Sequence, residues 1–132
     1  MKSKKHPSIS KARLFATILV ALPVLLLLSG CDPFKQFQEK SDQAFGDQHL
    51  KTSVALIELH KLRYGSYPAN LKDLKFTGEW DQLALQSVDY KAGDDRQSYY
   101  IEVKRGWVGK PELNMPGEFW QNTGYDRSLA DE

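Results

Sequence analysis

Few residues of this chain have the type and spacing that chemistry requires. Cys31 is the one cysteine among 132 residues, so no intramolecular disulfide can form. Of the three histidines, His6 lies in a basic leader, while His49 and His60 are eleven residues apart. On a helix that spacing is about 16 Å, too far for one metal ion. Asp89, Asp94 and Asp95 crowd a turn-like segment, where carboxylates ordinarily face water. Ser66 and Ser98 have no recognisable base nearby in sequence, and no cysteine cluster, H-E-x-x-H, P-loop or G-x-S-x-G is present. Trp80, Trp107 and Trp120 can line a ligand cleft, although packing in the core and rim of a small domain is the ordinary use of tryptophan. Neither an enzyme nor a metal or cofactor site is expected. The basic residues beyond residue 30 are interspersed with acids, which argues against nucleic acid.

The elements around Cys31 carry more information. Lys2, Lys4, Lys5, Lys11 and Arg13 precede Leu14 with no acid among them, and without the first thirty residues the chain holds thirteen basic against seventeen acidic residues. An apolar run from Leu14 to Leu28 follows, interrupted by Thr17 and Pro23. It is shorter than the roughly 20 residues a membrane helix needs, and Pro23 further disfavours a retained span. Basic leader, apolar run and small residues are the three parts of a secretory signal. Leu28-Ser29-Gly30-Cys31 resembles the bacterial lipoprotein lipobox. The resemblance implies that the Cys31 thiol takes a diacylglycerol as a thioether, that cleavage follows Gly30, and that membrane lipid is the first partner. Two or three acyl chains make a stable anchor where one is marginal. Asp32 resembles the inner-membrane retention signal of enteric lipoproteins; it also precedes Pro33 as a helix cap would. The expected location is the periplasmic side of a bacterial envelope, with Asp32 favouring the inner membrane.

The chain is organised around Gln48–Leu74. Leu50, Val54, Ile57 and Tyr64 share one helical face, Gly65 and Pro68 stop the helix, and Asn70 stands where a cap would before Leu71 and Leu74. Ala55, Leu59 and Leu62 point the opposite way, with Leu56 between. Two apolar faces imply cover on both sides or a face left for a partner, and Leu56, Leu59 and Leu62 are the candidate partner face. Folding back of Tyr67, Leu71 and Leu74 over the Leu59 side is the preferred expectation. This helix with Leu62-Arg63-Tyr64-Gly65-Ser66-Tyr67-Pro68 resembles the globular half of type II secretion pseudopilins and type IV pilins. The resemblance implies a helix packed on a small antiparallel sheet. The calcium loop of major pseudopilins is not carried over, because the spacing of Glu118, Asp126 and Asp131 does not reproduce it.

Between the anchor and this helix, Pro33–Phe45 is polar with Phe34 and Phe37 near the membrane end. A helix with a weak point at Gly46 is expected there, since glycine costs a helix about 1 kcal/mol against alanine. Beyond Leu74, Phe76–Trp80 reads as loop, Asp81–Leu85 as a short helical turn, and Ser87–Lys91 with Gln97–Trp107 as a β-hairpin. Tyr99, Ile101 and Val103 take one face of the second strand. Pro111 and Pro116 make loop or edge, Met115–Tyr125 tucks a short element on the sheet, and the last residues from Ser128 fray. The fold class is α+β, with a signal peptide at 1–30, a lipid-anchored helical stalk at 31–47 and a pilin-like domain at 48–132.

A pilin keeps its apolar helix, with a glutamate five residues in, to build a filament. Here the apolar run holds no glutamate and ends at a lipobox. The expectation is a tethered, non-catalytic pilin-like domain, an interaction or accessory component of an envelope or secretion assembly. A small-ligand-binding periplasmic lipoprotein is the alternative.

Overall fold

The computed structural model describes residues 32–131. The chain divides into two units, Met1–Pro33 and Phe34–Glu132, and the fold described here is the second. Leu28, Ser29, Gly30 and Cys31 lie outside the described residues.

Helix α1 runs from Pro33 to Tyr64 without a break, about 48 Å at 1.5 Å per residue. Gly65, at φ 76°, ends it. Leu50, Val54 and Ile57 are buried, as their spacing predicts, whereas Tyr64 on the same face is exposed at the end of the helix, beyond the reach of the sheet. The 3-10 turn Leu71–Asp73 follows, and the Asp73 carboxylate accepts the Asn70 N–H at 2.9 Å. Helix α2 spans Glu79–Gln86 and takes in Trp80, which the sequence places in a loop. Its start is held by Asp81, whose carboxylate reaches back to the Gly78 N–H at 2.8 Å.

Strands β1 (Val88–Ala92) and β2 (Tyr99–Val103) form an antiparallel hairpin with Val88 opposite Val103 and Ala92 opposite Tyr99. β2 alternates as expected: Tyr99, Ile101 and Val103 are buried and meet Leu50, Val54 and Ile57 in one core with Val88, Leu85, Leu74 and Tyr67. The molecule is thus a long helix packed on a two-stranded antiparallel sheet, an α+β fold. Arg96, at φ 52° in the hairpin turn, offers its carbonyl to the Tyr67 N–H at 2.9 Å. The turn after α1 is tied to the hairpin at that point.

Beyond β2 the chain doubles back. Tyr125 makes a single parallel bridge to Tyr99, on the edge of β2 away from β1. The short element expected at Met115–Tyr125 is the 3-10 turn Gly117–Trp120. The fraying expected from Ser128 is not observed over Arg127–Ala130: this is another 3-10 turn, Leu129 is buried, and its carbonyl accepts from Lys91. One buried leucine is enough to dock the turn.

The globular unit also reaches further toward the N-terminus than the expected boundary at Gln48. Gly46 and Asp42 are buried, about one and two helical turns before Leu50 on the stripe that faces the sheet. The loop after β2 crosses α1 here, and a Cβ on Gly46 would stand 2.5 Å from the Pro111 ring. Gly46 is therefore the residue that lets a loop approach the helix backbone, and α1 runs through it unbroken. Gly106 is the counterpart from the other side, since a Cβ on it would collide with the Asp42 backbone. Gly106→Ala is expected to cost about 1–3 kcal/mol, the usual range for overpacking. Gly117→Ala, whose Cβ meets nothing nearby, is the control in urea denaturation. Equal midpoints for the two variants would show that the loop is not seated on α1.

Candidate functional site

Three features distinguish the surface and interior of this unit. The first is a carboxylate among tyrosines. Glu58 accepts from the Tyr67 hydroxyl (3.0 and 3.2 Å to its two oxygens), the Tyr99 hydroxyl (2.9 Å) and the Gly124 N–H (3.1 Å). The Tyr67 and Tyr99 rings meet edge to face at 4.8 Å, and Tyr90 donates to the Pro68 carbonyl at 2.7 Å. Burial, followed by the bond to Glu58 and its charge, pushes the Tyr67 hydroxyl up to about 12. Burial also raises Tyr99 and Tyr90. Hydroxyls held neutral by burial and a carboxylate acceptor are poor nucleophiles and poor bases. This cluster joins α1, the turn after it, β2 and the Gly124 segment, which is a structural task.

The second feature is the seat of the loop on α1. The Asp42 carboxylate accepts the Val108 N–H at 2.6 Å and the Gly109 N–H at 3.0 Å. Those amide bonds, led by Val108, hold Asp42 below the usual carboxylate range against its desolvation. The loop presents Trp107 to α1, where its ring stacks on Phe45 (5.9 Å, 27°) and meets Phe37 edge-on (6.2 Å). Phe34, Phe37, Phe45, Trp107 and Val108 are nevertheless all exposed.

The third feature is an open groove of about 670 Å³ beside β2. Leu50, Ile101 and Val103 contribute its apolar floor, Pro111, Leu113 and Met115 one side, and Trp120 and Tyr125 its end. The hydrogen-bond phase of the hairpin decides what the strand shows to this groove. Gly93 N–H bonds Ser98 O and Lys104 N–H bonds Ser87 O, so Ser98, Tyr100, Glu102 and Lys104 turn their backbone groups toward β1. Tyr99, Ile101 and Val103 turn theirs outward. Tyr99 satisfies both of its groups with Gly124 O and Asp126 N–H, each at 2.8 Å. Ile101 and Val103 have the same phase and lie alongside the groove. Here the outer edge of a short sheet, its Ile101 and Val103 side chains buried, lines a slot that also carries Glu102, Lys110, Glu112 and Arg127.

The residues singled out by sequence are dispersed. Asp32 is exposed immediately before α1. Leu56 and Leu59 share a small pocket of about 60 Å³ with Leu74 and Phe76, so the segment after α1 does fold back on that side. Tyr67 instead packs on the sheet side. On the candidate partner face Leu62 is 83% exposed and Leu59 37%, while Leu56 is half-buried. The three tryptophans do not form one cleft: Trp80 is 81% exposed on α2, Trp107 sits on Phe37 and Phe45, and Trp120 stacks on Tyr125 at 3.9 Å. His49 and His60 lie on α1, both lowered chiefly by burial. Asp89 pairs with Lys104, Asp95 accepts the Gln97 N–H, and Asp126 caps the last turn through Ser128. Among the described residues no group of three or more histidines, cysteines and carboxylates is placed to hold a metal ion.

Glu58 and Asp42 were missed by sequence reasoning, although a signal exists for both. Counting back in fours from Val54 and Leu50 meets Gly46 and Asp42, and counting forward four from Val54 meets Glu58. A carboxylate on the buried stripe of a helix requires donors from whatever covers it. Comparison with protein-family models, curated proteins and solved structures finds no match.

Proposed function

We propose that this chain is a lipid-anchored, non-catalytic interaction module of the bacterial envelope, whose groove takes an extended segment of a membrane-bound protein partner. The observation that carries the interaction role is the outward-turned backbone of Ile101 and Val103 beside a groove of mixed apolar and charged lining. An extended segment laid there pairs with that edge, while one of its side chains enters the space above Leu50 and Ile101. The lipobox-like Leu28–Cys31 supports the anchor and the pilin-like turn supports an assembly role. Confinement to a membrane raises the effective concentration of the domain near membrane partners, so modest pairing suffices. A small ligand is the second reading, favoured by a groove volume within the range of small-molecule sites. The strand edge weighs against it, because backbone pairing rewards a chain.

Labelled palmitate is expected to enter the protein in cells and to be lost in Cys31→Ala, with the mature mass beginning at Cys31. A photo-crosslinking residue at Met115 is expected to give a discrete protein adduct that Leu113→Lys abolishes. A lipidated protein without any such adduct overturns the interaction reading, and a co-purifying small molecule displaced by Leu113→Lys would establish the second one. A mature protein that retains residues 1–30 overturns the anchor.

A further inference from the structure

We infer that the aromatic shelf formed by Phe34, Phe37, Phe45, Trp107 and Val108 rests on the lipid bilayer surface and sets the orientation of the domain above it. The inference deepens the proposed anchor at Cys31 and rests on it. Phe34 is three residues from Cys31, within about 11 Å along even a fully extended chain. The shelf therefore begins where acyl chains would enter the membrane.

Its composition and construction suit that occupant. Phe34, Phe37 and Phe45 lie within about a quarter-turn of one another on the side of α1 away from the Leu50–Ile57 stripe, by the 100° step of a helix. Trp107 comes from a different element and is brought to them by the loop. It is 57% exposed, Phe37 58% and Val108 67%, so most of the apolar surface faces outward in the folded unit. Tryptophan and other amphipathic aromatics favour the headgroup level. Asp42, which lies between Phe37 and Phe45 in the helix, is buried and turns its carboxylate inward onto the Val108 and Gly109 amides. The loop is thus fixed by a buried carboxylate while its tip remains apolar. A single-point lipid anchor would leave the domain free to tumble, and a second apolar contact removes that freedom, as two signals do for stable attachment.

The test uses the full, processed protein in phosphatidylethanolamine–phosphatidylglycerol vesicles whose acyl chains are brominated. With Trp80→Phe and Trp120→Phe combined, Trp107 is the sole tryptophan and its emission is expected to be quenched. In the reciprocal variant, Trp107→Phe alone, the remaining emission is expected to stay close to that in unbrominated vesicles. This second variant also serves if Trp120→Phe disturbs the ring stack on Tyr125. An acylated protein whose Trp107 is unquenched overturns the shelf and leaves the anchor standing. Absence of an acyl mass at Cys31 overturns the anchor, and the shelf with it. A dimer in detergent with Trp107 shielded from acrylamide, and no quenching by bromolipid, would assign the shelf to a second copy of the chain and overturn the inference.

Discussion

Glu58→Ala is expected to be among the most damaging single substitutions in the chain. The carboxylate satisfies the hydroxyls of Tyr67 and Tyr99 and the N–H of Gly124, and Tyr99 has no exposed surface through which water can take over. A buried donor left without a partner costs about 1–3 kcal/mol, so three donors together put the loss on the order of 3–5 kcal/mol. Part of the effect is geometric, because the three donors belong to the turn after α1, to β2 and to the Gly124 segment. Glu58→Gln keeps an acceptor oxygen and the shape, and is expected to lose much less. Urea denaturation of the two variants beside the parent protein decides the matter. A Glu58→Ala midpoint as high as that of Glu58→Gln would show that the network carries no stability.

The same cluster gives the fold an alkaline limit. The Tyr67 hydroxyl rises from its ordinary 10.0 to about 12, first through burial and then through Glu58. A group whose folded-state value is raised contributes stability that is complete below its unfolded value and disappears as pH climbs through the folded one. Stability is therefore expected to fall between pH 10 and about 12 as Tyr67 ionises only on unfolding. In Glu58→Gln the contribution of the carboxylate is removed while burial remains, so the fall is shallower without vanishing. An unchanged alkaline slope in that variant would separate Tyr67 from Glu58.

The second large effect belongs to Ile57→Ala. Ile57 is wholly buried between α1 and the sheet, and removing a side chain of this size from a core leaves a cavity at a cost of about 2–5 kcal/mol. Leu62→Ala, five residues further along the same helix, removes the same number of carbons from a side chain that is 83% exposed, and is expected to change stability by no more than about 0.5 kcal/mol. The contrast tests which side of α1 packs on the sheet. Comparable losses at both sites would mean that the Leu62 side is covered in solution, and would support the Leu56–Leu59–Leu62 face as a contact.

Much of the architecture was legible before any coordinates, and for a local reason. Spacings of three and four mark the buried side of α1, alternation of two marks Tyr99, Ile101 and Val103, and Gly65 with Pro68 marks where the helix must stop. These are properties of residues a few positions apart, which the backbone geometry of one element fixes alone. What tertiary structure decided are the contacts between distant residues. Asp42 is an ordinary polar helix residue until a loop sixty-six residues later supplies the Val108 amide, and Glu58 is a solvated helix former until Gly124 and Tyr99 arrive. Gly46 reads as a weak point in a helix and is a point of close approach, because only the packed loop reveals what a Cβ would strike. Trp107 sits outside β2, facing α1, since the hairpin ends at Val103 and Gly106 must lie against Asp42. The outer edge of β2 depends on hydrogen-bond phase, which the alternation of side chains leaves open until the pairing partner is known. The sequence by itself determined α1, its stop and the hairpin, with the faces that Leu50, Val54, Ile57, Tyr99, Ile101 and Val103 bury, since those follow from periodicity within each element. The groove, the shelf and the carboxylate network depend on which elements meet and in what register, and that only the folded chain decides.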